Sequence, residues 1–220
     1  MQIHHDSRNF FLPGPVGKLE AILWTPTRAG APTLAAVFCH PHPLFGGTLH
    51  NKVVYQAAKS LDALGIPVLR FNFRGAGLSA GEHDRGLGEK GDTEVAIDFL
   101  ASEFPNVPLL LGGFSFGSWV GLQVGCADPR VRELIGLGIP VNSSDFSYLD
   151  SCHKPKLIVQ GTNDPYGDGE KVEALVAHMA GDTRLSFVQD ADHFFTGHLG
   201  QLDQAISAWL MQHHSDLKKL

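Results

Sequence analysis

Apolar residues fall along this chain in two rhythms. Short blocks at 9–12, 18–24, 34–40, 67–73, 107–112, 133–137, 155–160 and 184–189 read as strands. Longer stretches at 49–64, 90–104, 115–126, 169–179 and 199–213 read as helices. The first of these keeps helical apolar spacing and stops at Gly65, and the second shows Val95, Ile97, Phe99 and Leu100 and stops before Pro105. No helix separates the first two strands, which predicts an antiparallel edge. The later strands alternate with helices, which predicts a mostly parallel sheet with right-handed crossovers. No internal repeat or low-complexity linker interrupts the series.

Composition narrows the class. A chain of 220 residues with 43% hydrophobic and 18% charged residues suits a single α/β domain over 1–220 and excludes disorder. The formal charge of −6 argues against nucleic acid or an anionic membrane as a main partner. The chain does not open on a basic segment followed by an apolar one, and no apolar run is long enough to span a membrane. Cys39, Cys126 and Cys152 have no motif spacing, so reduced, mostly packed thiols and a cytoplasmic location are expected. Whether Cys39, beside the active edge, is reactive or packed is left open.

The most informative motif is Gly113-Phe114-Ser115-Phe116-Gly117, a G-x-S-x-G lying between a predicted strand and a predicted helix. A sharp strand-to-helix turn raises a serine hydroxyl above the sheet. Glycine two residues either side lets neighbouring chain pass close. Asp164 follows the strand at 155–160, and His193 follows the strand at 184–189. In a parallel sheet the C-terminal strand ends share one edge, so the three can meet. The chemistry then follows from residue type. His193 takes the proton of Ser115, and Asp164 fixes the imidazole tautomer. Asp168 is the alternative acid. Asp192, adjacent to His193, is expected to serve a turn or cap.

An oxyanion hole needs two N–H donors. Phe116, directly after the serine, supplies one. The other is expected from His40-Pro41-His42-Pro43-Leu44-Phe45-Gly46-Gly47, where proline has no N–H. His42 is the first choice and Leu44 the reserve. Phe114 is expected to pack inward and Phe116 to line the site. Trp24, Trp119 and Trp209 are read as packing residues.

Other motifs are read blandly. His40-x-His42 lacks further metal donors nearby, so no metal is expected. Gly75-Ala76-Gly77-Leu78-Ser79-Ala80 matches a dinucleotide fingerprint, but the segment after it, with Gly81, Gly86 and Gly88, is not helical, so no cofactor is expected. Arg74 is expected to anchor that loop through backbone carbonyls. The pairs His4-His5 and His213-His214 are read as solvated.

Taken together, these segments resemble a small, cap-less bacterial α/β-hydrolase of the dienelactone-hydrolase-like kind. The resemblance rests on the 40–48 and 50–54 segments, Arg70–Ser79, Gly112–Gly117, Asp145-Phe146-Ser147 and Asp192-His193-Phe194-Phe195. It implies a serine hydrolase with Ser115, Asp164 and His193 in the matching positions and no cofactor. The implied fold is an α/β-hydrolase fold, a mostly parallel sheet of about eight strands with helices on both faces. The chain departs from the family at Pro165-Tyr166-Gly167, where an acidic or apolar helix start is usual. The sixteen residues from Ile139 to Lys154 are too few for a helical lid. An open site is therefore expected, covered by loop side chains such as Phe146 and Tyr148. The expected substrate is a small, short-acyl ester. Thioesterase, peptidase and acyltransferase activities use the same triad, and a non-catalytic scaffold on this fold is the rival from another class. Oligomeric state is not legible.

Overall fold

A computed structural model describes residues 5–27 and 30–217. His4 lies outside the described residues. Eight strands form one sheet: β1 (His5–Gly14), β2 (Gly17–Pro26), β3 (Ala35–Cys39), β4 (Val68–Phe71), β5 (Leu109–Phe114), β6 (Val131–Leu137), β7 (Lys156–Gly161) and β8 (Thr183–Val188). Their order across the sheet is β1-β2-β4-β3-β5-β6-β7-β8. β2 runs antiparallel to both β1 and β4, and the remaining pairs are parallel.

Five helices cover the two faces: α1 (Lys52–Asp62), α2 (Leu87–Glu103), α3 (Phe116–Ala127), α4 (Gly169–His178) and α5 (Leu199–His213). Successive strand side chains point to opposite faces, which splits the core in two. Ala35, Val37, Cys39, Leu109 and Leu111 pack with Ile97 and Leu100 of α2, Val120 of α3 and Val172 of α4. Ala36, Phe38, Leu110 and Phe114 pack with Val53 and Ala57 of α1 and Ile206 and Trp209 of α5. Central strands are buried on both sides, which is why they read as unbroken apolar runs.

Local chemistry sets the helix ends. Asn51 accepts from the Val53 N–H, so α1 begins three residues later than its apolar periodicity implies. It closes at Gly65, whose φ of 80° suits glycine. α2 begins at Leu87 rather than Lys90. Glu89 reaches back to the N–H groups of Asp84 and Gly86 and makes the glycine-rich stretch helical one turn early. Arg74 is anchored differently from expectation. It grips the buried carboxylate of Asp92 on α2, at 2.8 Å from Nη2, instead of backbone carbonyls. A buried carboxylate needs a charged partner more than a carbonyl does.

The described terminal histidines, His5, His213 and His214, are partly buried and paired. His5 lies 3.0 Å from Asp62 and stacks on Trp24. His213 and His214 reach Asp182 and Glu133 at 3.0 and 2.6 Å. In each case the partner carboxylate comes from a distant part of the chain. Between β6 and β7 only a short 3-10 turn, Ser147–Ser151, interrupts the loop.

Gly117 holds the start of α3 against β3. A Cβ there would lie 2.4 Å from the His40 carbonyl oxygen and 2.5 Å from that of Cys39. Backbone atoms cannot swing aside as a side chain can. Gly117→Ala is therefore expected to destabilise the protein by about 2–3 kcal/mol, read as a lower urea midpoint. A wild-type midpoint would contradict this packing.

Candidate active site

β5 turns into α3 within one residue, and that residue is Ser115. Its φ of 55° and ψ of −123° lie where non-glycine residues rarely sit. The turn is held on both sides. The Ser115 N–H donates to the Leu137 carbonyl at 2.9 Å, and Ser118 returns its N–H and hydroxyl to the Ser115 carbonyl. The Ser115 side chain makes no cap bond to its own helix, so its Oγ is free to face the next loop.

His193 comes from the loop after β8 and Asp164 from the loop after β7. Ser115 Oγ lies 2.9 Å from His193 Nε2, and His193 Nδ1 lies 2.7 Å from Asp164 Oδ2. A carboxylate only accepts, so Nδ1 carries the proton and Nε2 is left to accept from the serine. Asp164 and His193 are 6% and 5% exposed, so water competes little for these bonds.

Asp164, not Asp168, meets the histidine. Asp168 caps α4 by accepting from the Lys171 N–H. Asp192 accepts from the Thr196 N–H, a turn role. Two further partners of Asp164 were missed from the sequence. Gln160 Nε2 donates to the same Oδ2 at 2.7 Å, while Gln160 Oε1 accepts from the Ile139 N–H. The Tyr166 N–H donates to Oδ1 at 2.8 Å. The signal for Gln160 was an amide ending an otherwise apolar strand. The unusual Pro165-Tyr166-Gly167 segment also supplies an aromatic ring. Tyr166 and Phe114 approach the His193 ring at 4.6 and 4.9 Å between centroids.

The N–H groups of residues 42–47 can be accounted for one by one. Leu44 donates to His42 Nδ1, Phe45 and Gly47 donate to the His42 carbonyl, and Gly46 donates to the Pro43 carbonyl. Among the described residues, only the His42 N–H of this stretch has no acceptor. The Phe116 N–H, at the first position of α3, is likewise unpaired, as helix starts leave it. The Leu44 N–H, the reserve candidate, is already engaged by His42 Nδ1.

His40 underpins this loop. Its Nδ1 bonds the Pro41 carbonyl at 2.6 Å, and its Nε2 accepts from the Phe73 N–H at 2.9 Å. With both nitrogens engaged inside the fold, the His-x-His pair does not present a chelate. Burial pushes the His40 pKa down to about 4. Burial also lowers that of His42, with a contribution from His83, whose ring lies 4.5 Å away. His83 in turn has Nδ1 2.8 Å from buried Glu89, though the two are not aligned for a hydrogen bond. Sequence reading missed this pair because neither residue belongs to a motif. Cys39 is a packed thiol, pushed up to about 12 chiefly by burial.

Ser115 and His193 open into a cavity of about 280 Å³, walled by His42, Phe45, Phe116, Pro140, Tyr166 and Phe194 among others. Phe116 lines it, as expected, and Phe114 is buried beneath. Phe146 and Tyr148 do not cover it. Phe146 is 2% exposed within the core, and the Tyr148 hydroxyl donates to the Trp119 carbonyl. Pro140, Ser143 and Ser144 take their place at the wall.

Comparison with known proteins bears on the family and the fold. Residues 45–203 match the family model described as an alpha/beta hydrolase domain. An uncharacterised Rickettsia prowazekii protein is 36% identical, covering 95% of this chain and 93% of its own. A Xanthomonas campestris structure described as a serine hydrolase without lid superposes with a TM-score of 0.87 at 34% identity, over 94% of this chain and 95% of its own. A serine hydrolase homologue from Coxiella burnetii gives 0.88 at 35% identity, over 96% and 100%.

His40 makes the site's scaffold acid-sensitive. Unfolded, its imidazole takes up a proton below about pH 6.5, whereas folded it resists until about 4. Stability therefore falls as pH drops through this window, by about 2 kcal/mol between pH 7 and pH 5. Urea unfolding should show this loss in the wild type and a flatter pH dependence in His40→Gln. Equal slopes would contradict a buried neutral His40.

Proposed function

The chain belongs to the alpha/beta hydrolase family, and on that premise we propose that it is a serine hydrolase cleaving short-acyl carboxylic esters through an acyl-enzyme on Ser115. The observation that carries this reading is the unbroken hydrogen-bond chain from Ser115 Oγ through His193 to Asp164, at 2.9 and 2.7 Å. The Xanthomonas relative's description as a serine hydrolase without lid supports it.

In this reading Ser115 Oγ attacks the ester carbonyl carbon as His193 Nε2 takes its proton. Asp164 holds Nδ1–H and stabilises the imidazolium that forms. The carbonyl oxygen becomes an oxyanion and accepts from the N–H groups of Phe116 and His42. The intermediate collapses, the C–O bond to the alcohol breaks, and His193 returns the proton to the leaving oxygen. Water then repeats the sequence on the acyl-enzyme and frees the acid. The small cavity favours short acyl groups, and its aromatic wall favours uncharged ones.

Steady-state hydrolysis of p-nitrophenyl esters tests the assignment. Ser115→Ala is expected to lower kcat by at least ~10³-fold in a folded protein. Asp164→Asn is expected to cost far more activity than Asp168→Asn. Near-native turnover in Ser115→Ala, or the reverse ranking of the aspartates, would overturn the roles given.

A further inference from the structure

The glycine-rich loop between β4 and α2 has no part in the chemistry above, yet one of its residues reaches the site. His83 lies against both residues whose N–H groups have no acceptor. Its ring centroid is 4.5 Å from that of His42 and 5.4 Å from that of Phe116, and those two rings are 4.8 Å apart. The three rings close into a triangle. The His83 side chain is 8% exposed, so it is packed into this contact and does not merely touch it from outside.

The loop is tied down around this ring. Arg74, near its start, is fixed by the Asp92 carboxylate on α2. Glu89, also on α2 and fully buried, accepts from the Asp84 N–H through Oε1 and from the Gly86 N–H through Oε2, both at 2.8 Å. These bonds hold the segment directly after His83, whose Nδ1 lies 2.8 Å from Glu89 Oε1. A Cβ at Gly86 would lie 2.4 Å from the Trp119 ring, so the loop also presses on α3. The facing peptide, between Pro41 and His42, is held by its carbonyl, which His40 Nδ1 bonds at 2.6 Å. The His42 N–H belongs to that same peptide. His40 therefore fixes one end of the unit, and packing of the His42 ring fixes the other.

We propose that His83 is a positioning residue of the oxyanion hole: its ring wedges His42 and Phe116 so that their two N–H groups converge on one oxygen. The inference rests on the serine-hydrolase reading above, in which those N–H groups receive the anion. Preorganised donors work because they need no rearrangement as charge develops, and a misplacement of about 1 Å can cost roughly 100-fold in rate. The role belongs to the ring and not to a proton. Both oxygens of Glu89 already accept from backbone N–H groups, so the carboxylate does not depend on the imidazole. His83 is not among the residues lining the cavity, so its loss should leave ground-state binding of a small ester intact.

Wild type, His83→Ala and His83→Phe would be compared on p-nitrophenyl acetate and on trifluoroacetone. The ketone is an inhibitor whose carbonyl oxygen becomes an anion as Ser115 Oγ adds to the carbonyl carbon and His193 takes the serine proton. His83→Ala is expected to lower kcat by roughly 10–100-fold while KM changes less than about twofold, and to weaken trifluoroacetone by the same factor as kcat. His83→Gln, a second ringless variant, should show the same losses. His83→Phe restores a ring and should recover most of both. Turnover is counted per fluorophosphonate-labelled site, so a misfolded fraction does not imitate the effect. Wild-type turnover in the ringless variants, a loss confined to KM, or His83→Phe as impaired as His83→Ala would each overturn the role while leaving the hydrolase reading in place. A wild type that neither cleaved the ester nor bound trifluoroacetone would overturn that reading and this role with it.

Discussion

Ser115 is held in a backbone conformation that an isolated serine would leave at once. Such a conformation costs roughly 1–3 kcal/mol and persists only where surrounding contacts over-determine it. Here they do. Its N–H is tied to the end of β6, its carbonyl to Ser118, and Gly117 lets the start of α3 press on the carbonyls of β3. This one turn sets the direction of the hydroxyl, and it frees the Phe116 N–H by making it the first of a helix. The rest of the site consists of loops that meet this fixed point.

The meeting is arranged by polar groups that are almost all spoken for. Asp164 has three donors, from His193, Gln160 and Tyr166. Gln160 links that carboxylate to the backbone of Ile139, so the loops after β6 and β7 share one anchor. His40 does the same between β3 and β4, bonding Pro41 on one side and Phe73 on the other. The buried Gln160 amide carries three hydrogen bonds and the buried neutral His40 imidazole two, without the cost of a buried charge. The His42 N–H is left over while those of residues 44–47 are used, which makes it available to an incoming oxygen.

Much of this was legible in the sequence because it is local. Apolar blocks buried on both faces announce parallel strands, and the serine, aspartate and histidine each sit just past one. What was not legible depends on partners far along the chain. Asp164 and Asp168 occupy the same loop, but Gln160 and Tyr166 hold the first while the Lys171 N–H claims the second. His42 and Leu44 differ because the His42 imidazole takes the Leu44 N–H. Phe146 and Tyr148 are aromatic residues in a loop, a pattern equally consistent with a wall and a core. Gln160 and the His83–Glu89 pair belong to no motif, and the terminal histidines found carboxylates on distant elements. Helix starts shifted by up to three residues wherever Asn51 or Glu89 supplied the cap.

The central claim is that Ser115 is an activated nucleophile, and a fluorophosphonate probe addresses it without knowledge of the substrate. The purified protein would be labelled and the modified residue located by peptide mass spectrometry, with Ser115→Ala as control. Labelling confined to Ser115, and lost in the variant, is the result this account predicts. A folded protein that takes no label, or takes it elsewhere, would contradict it.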